Sequence, residues 1–317
     1  MGPGRSDRIN SSQIEGAAVQ PCVFIHTNHK QMLGALVGRH ALRRNSAAAD
    51  KFEIRILDTA DYSFLREREG QLFLRDGEKR TWRCEDLQSF TPLRFLPPEI
   101  MGYQGRAVVM DPDIFAAADI WDLLSRDMDG KAIFCRPRSG SKLLEGCMAS
   151  SVMLLDCAKL THWRCRENFA ELFAFKRDYA EWICLKLEPR DRLGRLEDEW
   201  NDFDHLGPDT KLLHNTKRQT QPWKTGLPVD YTPAVKRVKL SKPLTWLEPL
   251  RRGSERDAGR TYRPHPDRKQ EQFFFGLLRE CLMSGVVTED MLREEMRHNH
   301  VRHDAFEVLD RTPPLAA

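Results

Sequence analysis

Residues 106–113 read Arg-Ala-Val-Val-Met-Asp-Pro-Asp: a basic residue, four apolar residues and an Asp-Pro-Asp sequence. Four consecutive apolar residues are typical of a strand buried on both faces of a parallel or mixed sheet. Carboxylates at positions i and i+2, where such a strand ends, can direct oxygens at one metal ion, and Pro112 restricts the backbone between them. Such oxygens suit Mg²⁺ or Mn²⁺. The alternative for Asp111 and Asp113 is an ordinary turn with a helix cap.

Apolar runs and helical patterns alternate on both sides of this strand. We predict strands at 23–25, 52–57, 107–110, 132–135, 152–155 and 212–214, and helices at 32–42, 163–187 with a break, 269–284 and 288–300. The segment 61–100 is predicted to be irregular. The alternation indicates an α/β fold with ligands at the carboxyl ends of the strands. Polar residues end three strands, at 26–28, Asp58 and 111–113, so we expect one crevice along one edge of the sheet. Neither a GxGxxG nor a GxxxxGK[ST] loop is present, so neither a dinucleotide fold nor a P-loop is supported.

Composition describes a globular protein. The 317 residues are 40% hydrophobic and 31% charged, enough to bury a sizeable core. A formal net charge of +3 is too small to imply nucleic acid by itself. No apolar stretch is long enough to span a bilayer, and the first residues lack the apolar centre of a signal peptide.

The eight cysteines form no CxxC pair, and several stand inside apolar runs. A zinc site or a disulfide framework would need tighter, paired spacing. We therefore interpret them as reduced residues used as small apolar side chains, which favours a reducing compartment. A cytoplasmic location is expected.

Changes in composition divide the chain into four parts. Residues 1–20 are predicted to be a flexible leader, 21–230 the main domain, 231–268 a basic linker and 269–317 a C-terminal helical region. Residues 235–240, Val-Lys-Arg-Val-Lys-Leu, are similar to a nuclear localisation string, but a solvated linker is the better interpretation. The next interpretation is that this linker is attracted to anionic lipid headgroups or to an acidic glycan, so peripheral membrane contact is left open.

Four sequence pieces resemble, in order, the motifs of glycosyltransferase family eight, the family of glycogenin and the bacterial lipooligosaccharide galactosyltransferases. They extend across roughly residues 21–226, about two thirds of the chain. The pieces are Thr27-Asn28 with 34–37 as the opening, 106–113 as the basic residue, strand and DxD motif, 149–154 as the Asn-Ser-Gly-Val strand, and Leu213-His214 with 221–224 as the closing His…Lys-Pro-Trp motif.

That resemblance implies that residues 21–230 are a GT-A-like nucleotide-sugar transferase domain, with a Rossmann-type mixed sheet flanked by helices. It also implies transfer of a hexose from a nucleoside-diphosphate sugar, usually a UDP-sugar, to a hydroxyl with retention. It also implies a role for each matching position. Ile25, Thr27 and Asn28 would hold the uracil. Arg106 would contact the phosphates or ribose of the donor. Ser150 would also contact the donor. Asp111, Asp113 and His214 would bind Mn²⁺ or Mg²⁺. A basic residue near Trp223 would hold the diphosphate: Lys217 and Lys224 are preferred equally, with Arg218 as a further option.

The implied partners are a nucleotide-sugar donor and a hydroxyl acceptor on a glycan, a lipid-linked sugar or a protein, whereas nucleic acid is not expected. No residue is assigned as nucleophile or general base. Ala149 and Ser151 replace the Asn and Gly of the family strand, which keeps a catalytically degenerate binding protein as an alternative. A sugar-1-phosphate nucleotidyltransferase is a second alternative, but it would need a Gly-rich loop after the first strand. A third is a non-catalytic module whose basic C-terminal region binds nucleic acid or membrane.

Overall fold

A computed structural model describes residues 19–138, 146–230 and 260–316. Nearly all of the predicted leader, residues 231–259 of the predicted linker, and the string at 235–240 lie outside the described residues. Within them the strands are β1 (Cys22–Thr27), β2 (Glu53–Asp58), β3 (Leu72–Arg75), β4 (Glu78–Thr81), β5 (Arg106–Met110), β6 (Ile114–Ala116), β7 (Ile133–Pro137), β8 (Met148–Asp156), β9 (Leu193–Arg195), β10 (Asp202–Phe203) and β11 (Leu212–His214). The α-helices are α1 (Met32–Arg44), α2 (Ser63–Arg66), α3 (Pro97–Ile100), α4 (Trp121–Leu124), α5 (Cys165–Phe173), α6 (Tyr179–Ile183), α7 (Arg268–Met283), α8 (Glu289–Arg297) and α9 (Ala305–Arg311).

Six strands form the central sheet, in the order β2–β1–β5–β8–β7–β9. β1 pairs in parallel with β2 and β5, whereas β8 is antiparallel to β5 and β7, so the sheet is mixed. A smaller sheet, in the order β10–β11–β6, begins directly after Asp113. The carboxyl ends of β1, β5 and β7 and the start of β8 therefore share one edge, beside this smaller sheet.

The central strand β5 is buried on both faces, as its apolar run predicts. Val108 and Met110 pack in a core with α1 and α7, whereas Ala107 and Val109 pack in a second core with α5 and α6. All four side chains are fully buried. Alternate residues of a strand point to opposite faces, so a continuous apolar run is what such a position requires.

The predicted class is confirmed: the fold is α/β, with a mixed sheet flanked by helices and a C-terminal helical extension. Each predicted strand is present, although 212–214 belongs to the smaller sheet. The helical stretch predicted at 163–187 with a break is present as α5 and α6. The segment 61–100 was predicted to be irregular, but it contains the β3–β4 hairpin. Every residue of β4 is exposed and polar, so no alternation marks it.

The C-terminal helices pack against the main sheet. Phe274 and Phe275 of α7 are fully buried in the core that contains α1, and Glu280 pairs with His40 and Arg44 of α1. The division into separate domains stays a prediction.

One prediction about the cysteines is wrong. Cys147, just before β8, and Cys184, just after α6, form a disulfide, whereas Cys22, Cys84, Cys135, Cys157, Cys165 and Cys281 are free. The two half-cystines are 37 residues apart in sequence, so only the tertiary packing of α6 on β8 brings them together. Among the described residues, no helix has the length and apolar character needed to cross a membrane.

Helix α1 approaches the Asp111-Pro112-Asp113 turn most closely at Gly34. A Cβ atom at Gly34 would lie 2.4 Å from the carbonyl oxygen of Pro112, and one at Gly38 would lie 3.0 Å from that of Ile114. Both obstacles are backbone atoms, which cannot rotate away. Gly34 therefore sets the distance between the helix and the turn that carries both aspartates.

We expect Gly34→Ala to lower the free energy of unfolding by about 1–3 kcal/mol, because the added methyl group overpacks this contact. Elsewhere in a helix the same change stabilises by up to about 1 kcal/mol. Gly38→Ala is the matched control, since its neighbour needs to move by only a few tenths of an ångström, and its loss should be smaller. Urea denaturation of both variants measures the difference. A Gly34→Ala protein as stable as the parent would contradict the close approach.

Candidate metal centre and ligand cavity

Asp111, Asp113 and His214 come together where the two sheets meet. Asp111 follows β5, Asp113 precedes β6, and the pairing of Ile114 with His214 between β6 and β11 places the imidazole beside Asp113. One possible ligand atom from each residue lies within 4.8 Å of the others. Among the described residues, these three form the group of His, Cys, Asp or Glu side chains that is close enough together to bind one metal ion. The predicted ligand set is thus assembled by strand pairing.

A hydrogen bond to Asn201 fixes which nitrogen of His214 faces the aspartates. The Asn201 amide nitrogen donates to Ser151 Oγ at 3.0 Å and lies 3.5 Å from the Ala149 carbonyl oxygen, so its Oδ1 points toward His214. His214 Nδ1 donates to that oxygen at 2.8 Å. In this tautomer Nε2 carries a lone pair, 3.3 Å from Asp113 Oδ1. Metal-binding histidines are commonly oriented by such an outer hydrogen bond.

Two buried oxygen atoms without hydrogen-bond partners among the described residues belong to this region. Asp113 Oδ1 and Gln221 Oε1 are buried and have no partner among the described residues, and both residues line the cavity. The other carboxylate oxygen, Asp113 Oδ2, accepts from Gln221 Nε2 at 3.1 Å. A buried unpaired acceptor costs about 1–3 kcal/mol, and a cation removes that cost. The donor set of two carboxylates and an imidazole fits Mn²⁺ better than Ca²⁺.

Asp111 is also held by two side chains from outside the ligand set. Arg94 Nη2 donates to Oδ2 at 2.5 Å and Nε to Oδ1 at 3.0 Å, while His26 Nε2 lies 2.5 Å from Oδ1. Burial alone would raise the pKa of Asp111, but Arg94 and then His26 outweigh it and hold that pKa well below its usual range. The same burial lowers the pKa of His26. Asp111 is therefore an ionised carboxylate neutralised by Arg94.

A cavity of about 300 Å³ opens at this edge of the sheet. Its walls are polar and include both aspartates, His214 and three arginines. The lining residues are Gln31, Leu87, Gln88, Phe90, Arg94, Asp111, Asp113, Arg138, Ser151, His214, Thr216, Arg218 and Gln221.

Arg106 does not line the cavity. Arg106 opens β5 and Asp111 follows it, so five residues of strand, roughly 16 Å at 3.3 Å per residue, separate them. The Arg106 guanidinium donates instead to the carbonyl oxygen of Arg126. It lies at the opposite edge of the sheet and cannot contact a ligand bound beside Asp111.

Residues predicted to hold the base lie at the expected edge, but their side chains are engaged within the protein. Ile25 is buried in the core. Thr27 donates to the carbonyl oxygen of Asn28 at 3.2 Å. The Asn28 amide nitrogen donates to Ser89 Oγ at 3.0 Å, and its oxygen accepts from the backbone of Lys30. Asn28 thereby positions residues 86–90, which form one wall of the cavity.

The other predicted donor contacts divide between the cavity and the core. Ser150 accepts from Arg94 at 2.9 Å, so it supports the wall of the cavity. Trp223 packs between Phe115 and Phe274 in the core.

Neither preferred lysine lines the cavity. Lys224 Nζ is fully buried, 2.6 Å from Asp230, and Lys217 is exposed. Arg218, the remaining option, is in the lining.

Sequence reasoning missed Arg94, Asn201 and Arg138. Arg94 lies in the 3-10 turn Thr91–Phe95, inside the segment predicted to be irregular. Asn201 ends the turn Asp198–Asn201, which lies outside the four sequence pieces that match the family motifs. The only signal for Arg138 was its place directly after a predicted strand.

No family model matches the chain, and no curated protein matches it. Solved structures similar to it include the glycosyltransferase GlyE of Streptococcus pneumoniae TIGR4, with 15% identity over 65% of this chain and a TM-score of 0.45. The chain spans 56% of the length of GlyE. The galactosyltransferase LgtC, in complex with donor and acceptor sugar analogues, has 12% identity, covers 64% of this chain and 89% of its own, and gives a TM-score of 0.45. Mouse xyloside xylosyltransferase 1 has 13% identity, covers 62% and 97%, and gives 0.39. At such low identity, the chain's own residues must carry any conclusion about chemistry.

Proposed function

We propose that this chain is a glycosyltransferase that moves a sugar from a nucleoside-diphosphate donor to a hydroxyl group and uses a divalent cation. The observation that carries the proposal is the group Asp111, Asp113 and His214, in which Asp113 Oδ1 is a buried oxygen without a partner among the described residues. This group faces a cavity of about 300 Å³ that also contains three arginines. Acidic metal ligands beside fixed cations form a site suited to a metal-bound diphosphate.

In this proposal Asp111, Asp113 and His214 hold the cation, and Mn²⁺ fits the mixed oxygen and nitrogen set. The cation would neutralise phosphate charge as the nucleoside diphosphate leaves. Asn201 holds the imidazole with Nε2 toward the ligand group. Arg94 neutralises Asp111 and joins it to Ser150 on the neighbouring strand, so the carboxylate is fixed before a ligand binds. Such preorganised charges need no rearrangement during the reaction.

The finer parts of the proposal come from the family-eight resemblance. They are a hexose as the transferred sugar, uridine as the base, and retention of configuration at the anomeric carbon. We assign no nucleophile. A cytoplasmic location is part of the proposal, although the Cys147–Cys184 disulfide weighs against the argument from reduced cysteines.

One observation favours a catalytically degenerate binding protein as the second candidate. Both oxygens of Asp111 already accept hydrogen bonds from Arg94 or His26, so a cation at this carboxylate must share those oxygens. A binding protein of this kind would take up the nucleotide without turnover. Hydrolysis or transfer of a donor in the presence of Mn²⁺ separates the two candidates.

A melting-temperature screen tests the shared part of both candidates. We expect a nucleoside diphosphate with Mn²⁺ to raise the melting temperature by about 5 °C at 100 times its Kd, since binding at that excess contributes about 2.7 kcal/mol. The nucleotide with EDTA should give little or no shift. An equal shift with and without metal would contradict the metal-dependent site, and no shift with any nucleoside diphosphate would contradict the proposal.

A further inference from the structure

Arg138 reaches the cavity from a strand that the predicted ligand set does not use. It follows β7, whose carboxyl end lies at the same edge of the sheet as that of β5, because β8 is antiparallel to both. Its backbone N–H donates to the carbonyl oxygen of Cys147 at 2.9 Å, which continues the pairing of the two strands. Its side chain lines the cavity together with Ser151 of β8 and Asp111 of β5. Its position is therefore set by the sheet.

Among the described residues, no carboxylate forms an ion pair with the Arg138 guanidinium, although the charge of Asp111 attracts it from across the cavity. Arg94 is paired with Asp111, and Arg218 has an interaction of its own. The side chain of Arg138 makes no hydrogen bond or ion pair with any residue in the part of the chain that the structure describes. By contrast, Arg136, two residues earlier, donates to the carbonyl oxygen of Asn201 at 2.6 Å and pairs with Asp198. Arg138 thus lines the cavity as a cation that has no hydrogen bond or ion pair to a described residue.

The charges around the cavity leave an excess that an anion would balance. Three arginines and two aspartates line it, which gives a net charge of +1, and a divalent cation raises this to +3. Partial desolvation, and next the charge of Arg94, lower the pKa of Arg138. Both effects are electrostatic costs that a bound anion relieves.

We propose that Arg138 binds a phosphate oxygen of the nucleoside-diphosphate leaving group. This inference rests on the proposed function. As the bond from the anomeric carbon to the β-phosphate oxygen breaks, its electron pair stays on that oxygen. The acceptor oxygen bonds to the anomeric carbon, and its proton passes to solvent. The diphosphate then carries a charge of about −3 instead of the −2 of the donor, so a fixed guanidinium stabilises the product side more strongly.

Pyrophosphate tests this role without requiring the identity of the base or the sugar. Isothermal titration of the full chain with Mn²⁺, and then with pyrophosphate in the presence of Mn²⁺, is compared for the parent, Arg138→Gln and Arg138→Lys. We expect Arg138→Gln to weaken pyrophosphate binding about 10-fold or more, because a charge-assisted hydrogen bond is lost. Arg138→Lys should keep much of the affinity. Binding of Mn²⁺ alone should change by less than about 2-fold.

The matched control is Arg166→Gln, which removes an arginine with a side chain that is 68% exposed on α5 and absent from the cavity lining. It should leave pyrophosphate binding unchanged. If the parent binds Mn²⁺ and pyrophosphate and Arg138→Gln binds both equally well, the role of Arg138 is refuted while the proposed function stands. If the parent binds neither, both are refuted.

Discussion

Replacement of Arg94 by methionine is expected to lower the free energy of unfolding by about 3–5 kcal/mol, the largest loss that we predict for any single substitution. The reason is the carboxylate left behind. Asp111 is 5% exposed, and Arg94 donates to both of its oxygens, so the variant buries a charge without its cation. Arg94 also donates to Ser150, which joins the segment before α3 to β8. Urea denaturation at pH 7 measures the loss.

The double variant Arg94→Met, Asp111→Asn separates the buried charge from the lost packing. It should be more stable than Arg94→Met alone, because no uncompensated carboxylate remains. The surface control is Arg55→Met, whose partner Glu53 is 44% exposed, and its loss should stay below about 1 kcal/mol. If Arg94→Met and the double variant lose the same stability, the charge of Asp111 is not the cause.

The pH dependence of this loss has a defined sign. In the parent, the pKa of Asp111 is lower in the folded than in the unfolded protein, so its contribution to stability is present above the unfolded value, near 3.9, and is lost as the pH falls. Without Arg94, burial becomes the leading effect and raises the folded pKa. The difference between parent and variant should therefore shrink as the pH falls from 7 toward 4. A constant difference over this range would show that Asp111 ionisation does not contribute.

The sheet and the two carboxylates of the proposed metal site were predictable because both depend on local sequence. The apolar run of β5 requires burial on both faces, and the polar residues after it must lie at the edge where β5 ends. His214 was predicted by motif order alone. Its place beside Asp113 depends on the pairing of β11 with β6, a contact between segments about 100 residues apart.

The partners of the proposed metal ligands could not be predicted, because they too depend on contacts between segments that are separate in sequence. Arg94 lies in a short turn without hydrophobic periodicity, and nothing in its local sequence points to a carboxylate 17 residues later. Lys224 looked accessible beside Trp223, but Asp230 and the ring of Tyr262 bury it completely. The role of a charged residue depends on which opposite charge lies beside it in the tertiary structure, and local sequence does not identify that partner. The distance of Arg106 from the cavity differs from these cases, since the length of the predicted strand alone separates it from Asp111.

The largest functional effect is expected from Asp113→Asn, which should weaken Mn²⁺ binding by at least about 100-fold. The substitution keeps the shape of the side chain and a group for Gln221 to bond, but it removes the charge. Outer hydrogen-bond partners of metal ligands are worth about 10–100-fold in affinity, so a direct carboxylate ligand should exceed that range. Isothermal titration of the metal-free protein with Mn²⁺ measures the change.

Stability without metal distinguishes a ligand from a structural residue at this position. Asp113 Oδ1 is buried without a hydrogen-bond partner among the described residues, and this unpaired acceptor lowers the stability of the metal-free protein. The metal-free Asp113→Asn protein should therefore melt at the same temperature as the parent or higher, while it loses the stabilisation that Mn²⁺ gives. Asp61→Asn, an exposed aspartate beside β2, is the matched control and should change neither quantity. A less stable metal-free Asp113→Asn protein that still binds Mn²⁺ would mean that Asp113 serves the fold. Asp111 and Asp113 would then stabilise the turn beside α1, and a cation would have to bind elsewhere in the cavity.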